Sequence, residues 1–452
     1  MSDLLSLVES KQAKIAVIGL GYVGLPVAAC LADAGFHVTG VDLKAERLAR
    51  IAAGECPIEG EEPGLAPMIV KVVADKRLTV TSDYAKLADV DIVLIDVDTP
   101  VEADNRPAYK ALRGACEALG AVMKNGVLVI VESTIAPGTV DHVVAPLLEK
   151  VSGKKRNVGF FLGHCPERVM PGRLLQNLTQ LSRVCGGSTP ETAQAMAALY
   201  RTIVKGDLDC ADCVTAELVK TAENTYRDVN IAFANELAMI CEASGGKFLR
   251  VRELVNKSPG RNVLLSGAGV GGHCITKDPW LLAHGAPSLD AKVIAAARAR
   301  NDAMPRHVLS LVESGLAEAG KALRGSKLAV LGFSYLEDSD DTRHSPSETF
   351  IGHAKAEGAE CVVHDPYVEE YKGDLWKVLE GADAAVLLVA HTAYKTLDLT
   401  ALQSKLRTKV FVDARHVFDV SAAQAAGLVV RSLGNDAAKS PKRDAAKDGA
   451  SA

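Results

Sequence analysis

Lys14-Ile15-Ala16-Val17-Ile18-Gly19-Leu20-Gly21-Tyr22-Val23-Gly24 begins as a short β-rich run and then turns on three glycines. A helical pattern follows and ends near Gly35, and a second apolar run, 36–41, stops at Asp42. Strand, glycine turn, helix, strand and acid, with the acid 18 residues after the last glycine, is the pattern of a dinucleotide-binding unit. Gly19 suits the tight turn, Gly21 lets a pyrophosphate approach the helix N-terminus, and Gly24 permits close helix–sheet packing. Tyr22 and Val23 fall in the same turn and are candidate cofactor contacts. Asp42 is placed to accept hydrogen bonds from ribose hydroxyls, which favours NAD over NADP.

Further buried-strand runs lie at 92–97, 127–131 and 158–162, separated by segments long enough for helices. The expected first domain is therefore a doubly wound parallel sheet. Each run ends on polar residues: Asp98-Thr99-Pro100, Glu132-Ser133-Thr134 and Pro166-Glu167-Arg168. Thr99, Thr134 and Glu167 could each be a turn or cap residue. Three polar stops beyond strand carboxyl ends, where such sheets bind ligands, point instead to ligand contact.

A stretch without Gly or Pro, 215–242, predicts a long helix closed by Gly245-Gly246. Lys220, Asn224 and Arg227 share one of its faces. Helical patterns at 288–301 and 305–318 follow. A second, smaller Rossmann-like unit then starts at 327–332, with strand runs at 361–364, 384–389, 410–412 and 428–430. Its turn, Gly332-Phe333-Ser334, is degenerate and predicts no second dinucleotide. The composition of the end, 435–452, predicts a disordered tail.

Among 452 residues, 48% hydrophobic and 24% charged, the formal net charge is -5. That balance argues against general binding to nucleic acid or an anionic membrane, so small-molecule partners are expected. The N-terminus lacks a basic segment leading into an apolar run, and no stretch reaches membrane-spanning length, so a cytoplasmic protein is expected. The ten cysteines are expected to be free thiols, and no metal site is expected.

One cysteine stands apart. Gly269-Val270-Gly271-Gly272-His273-Cys274-Ile275-Thr276-Lys277-Asp278-Pro279 sets a thiol among glycines that leave room for a ligand, with a cation and a potential base close by in sequence. A nucleophilic thiol beside an oxidant can trap an aldehyde and carry its oxidation to the acid.

Taken together, these motifs resemble the UDP-glucose/GDP-mannose dehydrogenase family, whose members oxidise C6 of a nucleotide sugar from alcohol to acid with two NAD. The resemblance rests on Gly19 to Leu25, Thr99-Pro100, Glu132-Ser133-Thr134, Pro166-Glu167, Lys220 with Asn224, Gly271-Gly272-His273-Cys274 with Asp278, and Asp340-Asp341-Thr342-Arg343 with Ser345-Pro346. It implies NAD contacts at Gly19, Gly21, Tyr22, Val23, Gly24, Asp42, Thr99 and Thr134, with Cys274 as nucleophile. Lys220 and Asn224 are implied to stabilise the C6 oxyanion. Asp278 and Glu167 are the candidate hydrolytic bases, with Thr134 able to hold the water. Implied substrate contacts are Glu167, Arg168, Lys220, Asn224, Arg227, Arg261, Gly271, His273 and Arg343.

The stretches at 165–172, 223–236 and 269–275 are most similar to the branch acting on UDP-N-acetyl-D-mannosamine. Pro171, where other branches usually carry a second glutamate, and His273 before the cysteine both point to an N-acetylhexosamine. UDP-N-acetylglucosamine and UDP-glucose 6-dehydrogenases are the alternatives. A non-catalytic binding protein is the alternative of a different class, prompted by Ser334, which stands where many relatives are expected to place a phosphate-binding lysine. The implied organisation is an NAD-binding domain at 1–205, a central helical domain with the cysteine loop at 206–320, a UDP-sugar-binding domain at 321–434 and the tail at 435–452, assembled as a homodimer or higher homo-oligomer.

Overall fold

The computed structural model describes residues 2–435 apart from 59, 61 and 171. Pro171 and the tail residues 436–452 therefore lie outside the described residues. The chain forms two compact units, Met1–Asn224 with Lys277–Asp290, and Thr225–Thr276 with Ala291–Ala452.

The first unit is built on eight strands: β1 (Lys14–Ile18), β2 (His37–Val41), β3 (Leu78–Thr81), β4 (Ile92–Ile95), β5 (Val127–Val131), β6 (Phe160–His164), β7 (Arg183–Gly187) and β8 (Leu208–Asp212). Their order is β3-β2-β1-β4-β5-β6-β7-β8. Alternate residues of the central strands feed opposite cores: Ile15, Val17 and Leu94 pack on one face, Ala16, Ile18, Val93 and Ile95 on the other. Covering both faces is what makes these strands continuous apolar runs. The sheet corrects the all-parallel expectation, because β6 and β7 pair antiparallel through Gly163–Gly187 and His164–Gly186. Strands β7 and β8 lie beyond the last predicted run, where Arg-Val-Cys-Gly-Gly and Leu-Asp-Cys-Ala-Asp offer no apolar stretch to read.

The second unit carries five parallel strands, β9 (Lys327–Leu331), β10 (Glu360–His364), β11 (Ala384–Leu387), β12 (Val410–Asp413) and β13 (Val429–Ser432), in the order β10-β9-β11-β12-β13. Leu328, Val330 and Val386 face one core, and Ala329, Leu331 and Ala385 the other. Both sheets are Rossmann-like.

Two long helices supply the central helical part. One, Cys213–Ser244, spans 32 residues. The other, Lys292–Glu318, spans 27 and runs unbroken through Pro305, where two helical patterns are predicted. A proline inside a helix costs about 3 kcal/mol. Here Met304, Val308, Leu309, Leu311, Val312 and Leu316 are buried in the core of the second unit, and that shared apolar face outweighs the local break. No helix among the described residues is long and apolar enough to cross a membrane.

Candidate active site

In the first unit, β1 delivers the chain into the glycine turn. Gly19 has φ +95°, and a Cβ there would lie 2.4 Å from the Asp96 carbonyl oxygen. A Cβ on Gly24, first residue of the helix Gly24–Asp33, would lie 1.9 Å from the Gly19 oxygen. Gly21 differs: nothing lies within 4 Å of its would-be Cβ. The turn is thus closed by protein at Gly19 and Gly24 and open at Gly21, the position expected from the sequence to admit a pyrophosphate.

Asp42 follows β2 and is buried. Its Oδ2 accepts from Leu20 N and Arg47 Nη1, both at 2.9 Å, and its Oδ1 from Lys44 N at 2.9 Å. Burial alone would push this carboxyl up, but the bonds from Lys44, Arg47 and Leu20 together hold it below the usual range. Asp42 therefore braces the glycine turn and keeps a lone pair uncommitted. The Tyr22 hydroxyl donates to Glu62, which also accepts from Gly172 N (2.7 Å) and Leu174 N (3.0 Å). Val23 caps the helix start. Tyr22 so ties the turn to the segment that follows Glu167 and Arg168.

Thr99 donates to the Thr134 carbonyl at 2.6 Å, stitching the segment after β4 to that after β5, while the Thr134 side chain is half-buried. Glu167 is half-buried and accepts from Val169 N. Arg168 does not keep a free guanidinium: Nε donates to Glu223 Oε2 at 3.0 Å, Nη2 to Glu223 Oε1 at 2.5 Å, and Nη1 to the Ser182 carbonyl. Pro166, Arg168, Val184, Val219, Lys220 and Glu223 line a recess there. Lys220 is buried, and beside it His164 is pushed down to about 3 by burial, with the Lys220 charge adding to the effect. His164 Nδ1 is 2.8 Å from the Val131 carbonyl, so this neutral ring donates there.

Asn224 Nδ2 donates to Asp278 Oδ2 at 2.6 Å, and Lys277 Nζ to Asp278 Oδ1 at 2.8 Å. Lys277 and Asp278 are both buried. The cation and base expected beside the thiol thus neutralise one another, because a buried charge is tolerated only when paired.

In the second unit, Cys274 does not sit in a loop but is the second residue of the helix His273–His284, and it is exposed. The N-terminal turn of a helix carries partial positive charge, which favours an anion. His273 opens the helix and is half-buried. The side-chain directions of the glycines before it are filled by protein. A Cβ on Gly271 would lie 2.5 Å from Tyr335 Cβ, one on Gly272 2.8 Å from the Tyr335 ring, and Gly272 N donates to the Arg343 carbonyl at 2.8 Å. Gly271 is buried, with its side-chain direction filled by this chain's own Tyr335. Burial pushes the Tyr335 phenol up to about 12.

Arg343 donates through Nε to Asp341 Oδ1 at 2.9 Å and also through Nη2 to Oδ2, and its charge acts on Cys274. Arg227 is exposed, and so is Arg261, whose Nη1 donates to the Pro259 carbonyl at 3.2 Å. Ser334 is fully buried and donates to the Leu336 carbonyl at 2.8 Å, whereas Leu336 itself is exposed. Ser334 is thus used within the turn itself.

Several residues that matter escaped the sequence reading. Arg298 Nη1 and Asn301 Nδ2 both donate to the buried Asp228 Oδ1, at 2.7 and 2.8 Å. Asn235 donates to Asn301 Oδ1 at 2.9 Å and accepts from Gly267 N at 2.9 Å, which anchors the segment leading into the cysteine helix. Asn235 was legible only as one letter of the 223–236 stretch. In the first unit, Glu217 accepts from Gly138 N (2.6 Å) and Val140 N (2.8 Å), and burial pushes it up to about 7. The cysteines include a spacing the sequence reading passed over, Cys210-Ala211-Asp212-Cys213: Cys210 is exposed on β8, Cys213 is buried, and all ten cysteines are free.

Three family models match in succession: the UDP-glucose/GDP-mannose dehydrogenase family NAD binding domain at residues 13–204, its central domain at 214–303 and its UDP binding domain at 329–420. A UDP-N-acetyl-D-mannosamine dehydrogenase of Pyrococcus horikoshii is 38% identical over 404 residues, which cover 89% of this chain and 96% of that one. The chain belongs to the UDP-glucose/GDP-mannose dehydrogenase family. Like other members of that family it is an NAD-dependent nucleotide-sugar dehydrogenase, and its NAD-binding domain contains the Gly19–Gly24 turn. A solved structure of the UDP-D-ManNAc dehydrogenase from Pyrococcus horikoshii matches with a TM-score of 0.87 at 37% identity, covering 94% of this chain and 99% of that one. The NDP-N-acetyl-D-galactosaminuronic acid dehydrogenase of Methanosarcina mazei Go1 matches with a TM-score of 0.87 at 36% identity, covering 96% and 99%.

Proposed function

We propose that this family member oxidises the C6 hydroxyl of UDP-N-acetyl-D-mannosamine to the uronic acid in two NAD-dependent steps. The observation that carries the reading is the full-length similarity to UDP-N-acetyl-D-mannosamine dehydrogenases. His273 directly before an exposed Cys274 supports it. The three-domain division at 205 and 320 is part of the same reading, as are a cytoplasmic location and a homodimer. Tyr226, Phe233 and Ile240, exposed at seven-residue spacing on the long helix, support the dimer.

The open backbone at Gly21 and the lone pair left on Asp42 fit NAD, which when bound supplies the hydride acceptor. Lys220 and Asn224 are assigned to the oxygen on C6, where a cation and an amide donor stabilise developing negative charge. Cys274 is assigned the nucleophilic role. Its sulfur adds to the C6 aldehyde as a thiohemiacetal, the oxidised adduct is a thioester, and water releases the acid and the thiol. Asp278 already accepts from Lys277 and Asn224, so it is assigned to orienting them. Glu167, with only Val169 N on one oxygen, is assigned the base, and Thr134 the water.

The test is a substrate panel of UDP-N-acetylmannosamine, UDP-N-acetylglucosamine, UDP-N-acetylgalactosamine and UDP-glucose, reading NADH formed per sugar. Two NADH with the mannosamine sugar, at least about tenfold faster than with the others, is expected. Preference for another sugar overturns the substrate assignment. Cys274→Ala is expected to yield no acid, and an undiminished yield overturns the covalent route.

A further inference from the structure

Beneath the glycine turn lies a pair of carboxyls that the mechanism does not use. Asp96 follows β4, at the point where the strand order reverses between β1 and β4 and where such sheets bind dinucleotides. Its backbone N donates to the Ile18 carbonyl at 2.8 Å, its carbonyl oxygen fills the place of a Gly19 side chain, and its Cβ would lie 2.9 Å from a Cβ on Gly24. Asp96 is therefore the floor of the turn. Both its carboxyl oxygens are shut off from solvent and, among the described residues, have no hydrogen-bonding partner other than the Glu132 carboxyl.

Glu132, after β5, is also buried. Its Oε1 accepts from Arg183 Nη1 at 3.0 Å and from the Tyr200 hydroxyl at 2.8 Å, while Oε2 is shut off from solvent without a hydrogen-bond partner among the described residues. The other groups acting on Asp96 are Glu167, after β6, and Arg183, on β7. Cys165 and Cys30 lie in the field of Arg183, and Asp98, two residues along, is exposed. Two touching carboxyls in a dry interior cannot both ionise. Burial and the neighbouring Glu132 carboxyl leave Asp96 to carry the proton. With that proton Asp96 adds no charge beneath the turn. Without that proton it carries one uncompensated negative charge directly under the turn.

We infer that Asp96 is a positioning residue for the dinucleotide: the proton it shares with Glu132 keeps the floor of the Gly19–Gly24 turn neutral, and loss of that proton weakens binding of the anionic pyrophosphate. Burial and the neighbouring Glu132 hold the Asp96 proton well above the usual carboxylate range, so its loss belongs to alkaline solution. The inference concerns the NAD site alone and is independent of which sugar is oxidised.

The experiment is a fluorescence titration of the full chain with NADH, without sugar, at about pH 6 and about pH 9.5. The Kd of the unaltered protein is expected to rise by about tenfold or more across that range. In Asp96→Asn, whose amide can still donate to Glu132, the rise is expected to fall below about twofold. The readout is the ratio of the two constants, which a merely structural role would not change. A flat profile in the unaltered protein overturns the inference, and so does an undiminished rise in Asp96→Asn. If that variant does not fold, Asp96→Ser offers a hydroxyl to Glu132 and is read the same way.

Discussion

The two Rossmann-like sheets open with the same device and close it differently. Gly19 after β1 and Gly332 after β9 both have φ +95°. In each, an acid after the neighbouring strand accepts from the turn's backbone: Asp42 from Leu20 N, Asp365 from Phe333 N and Ser334 N. The difference lies two residues after the first glycine. At Gly21 the space is open, whereas Ser334 is buried beside His391, whose Nε2 is 3.0 Å from Asp365. One turn is left open for a ligand and the other is filled by its own protein. A glycine pattern alone does not make a phosphate site; what decides is whether the chain supplies the group that occupies it.

The sharpest way to break this comparison is to fill one tight glycine in each turn. Gly24→Ala sets a methyl 1.9 Å from the Gly19 oxygen, and NADH affinity is expected to fall by about a hundredfold or more in a fluorescence titration. Gly332→Ala, whose methyl would lie 2.4 Å from Val389 Cβ, is expected to lower the melting temperature yet leave NADH affinity within about twofold. Equal losses of binding in the two variants would show that the second turn also serves the dinucleotide.

A smaller effect separates the two units by pH. Glu217 is pushed up to about 7 by burial, so its contribution to stability is present below the ordinary glutamate range and is lost as pH rises through about 7. Asp365 runs the other way. Burial pushes it up, but the bonds from His391, Phe333 N and Ser334 N hold it well below the usual range. Its contribution is therefore present above about pH 4 and lost on acidification. Peptide-resolved hydrogen exchange is expected to show protection at 138–140 falling toward alkaline pH and protection at 333–334 falling toward acid. The same trend at both segments would contradict the assignment.

The smallest expected change is structural silence at Gly21. With nothing within 4 Å, Gly21→Ala is expected to shift the melting temperature by no more than about 1 °C while weakening NADH binding by about tenfold. Unchanged binding would mean that the open space is not where the pyrophosphate lies.

What the sequence made legible follows from local pattern. Strand β5 and the start of β1 are read at their true bounds because Val127–Val131 and Lys14–Ile18 are buried apolar runs set off by turn residues. Strands β7 and β8 were missed because glycines and acids replace that pattern. The single helix through Pro305 was read as two because its continuity depends on packing against the second sheet. Among the candidate residues, Cys274, Lys220 and Asn224 could be singled out by residue type and spacing. Tyr335 against Gly272, and Asp96 against Glu132, could not, because those pairs are 63 and 36 positions apart and only the fold brings them together.

The packing of Gly271 and Gly272 on Tyr335 also sets an order of events during synthesis. The chain emerges from the ribosome N-terminus first, so the start of the cysteine helix is made before the residue that supports it exists. Until Tyr335 and the Arg343 carbonyl have emerged, Gly272 lacks both its hydrogen bond and its aromatic neighbour. The Cys274 thiol thus reaches its finished surroundings late, after the sheet that carries the first glycine turn can already have formed.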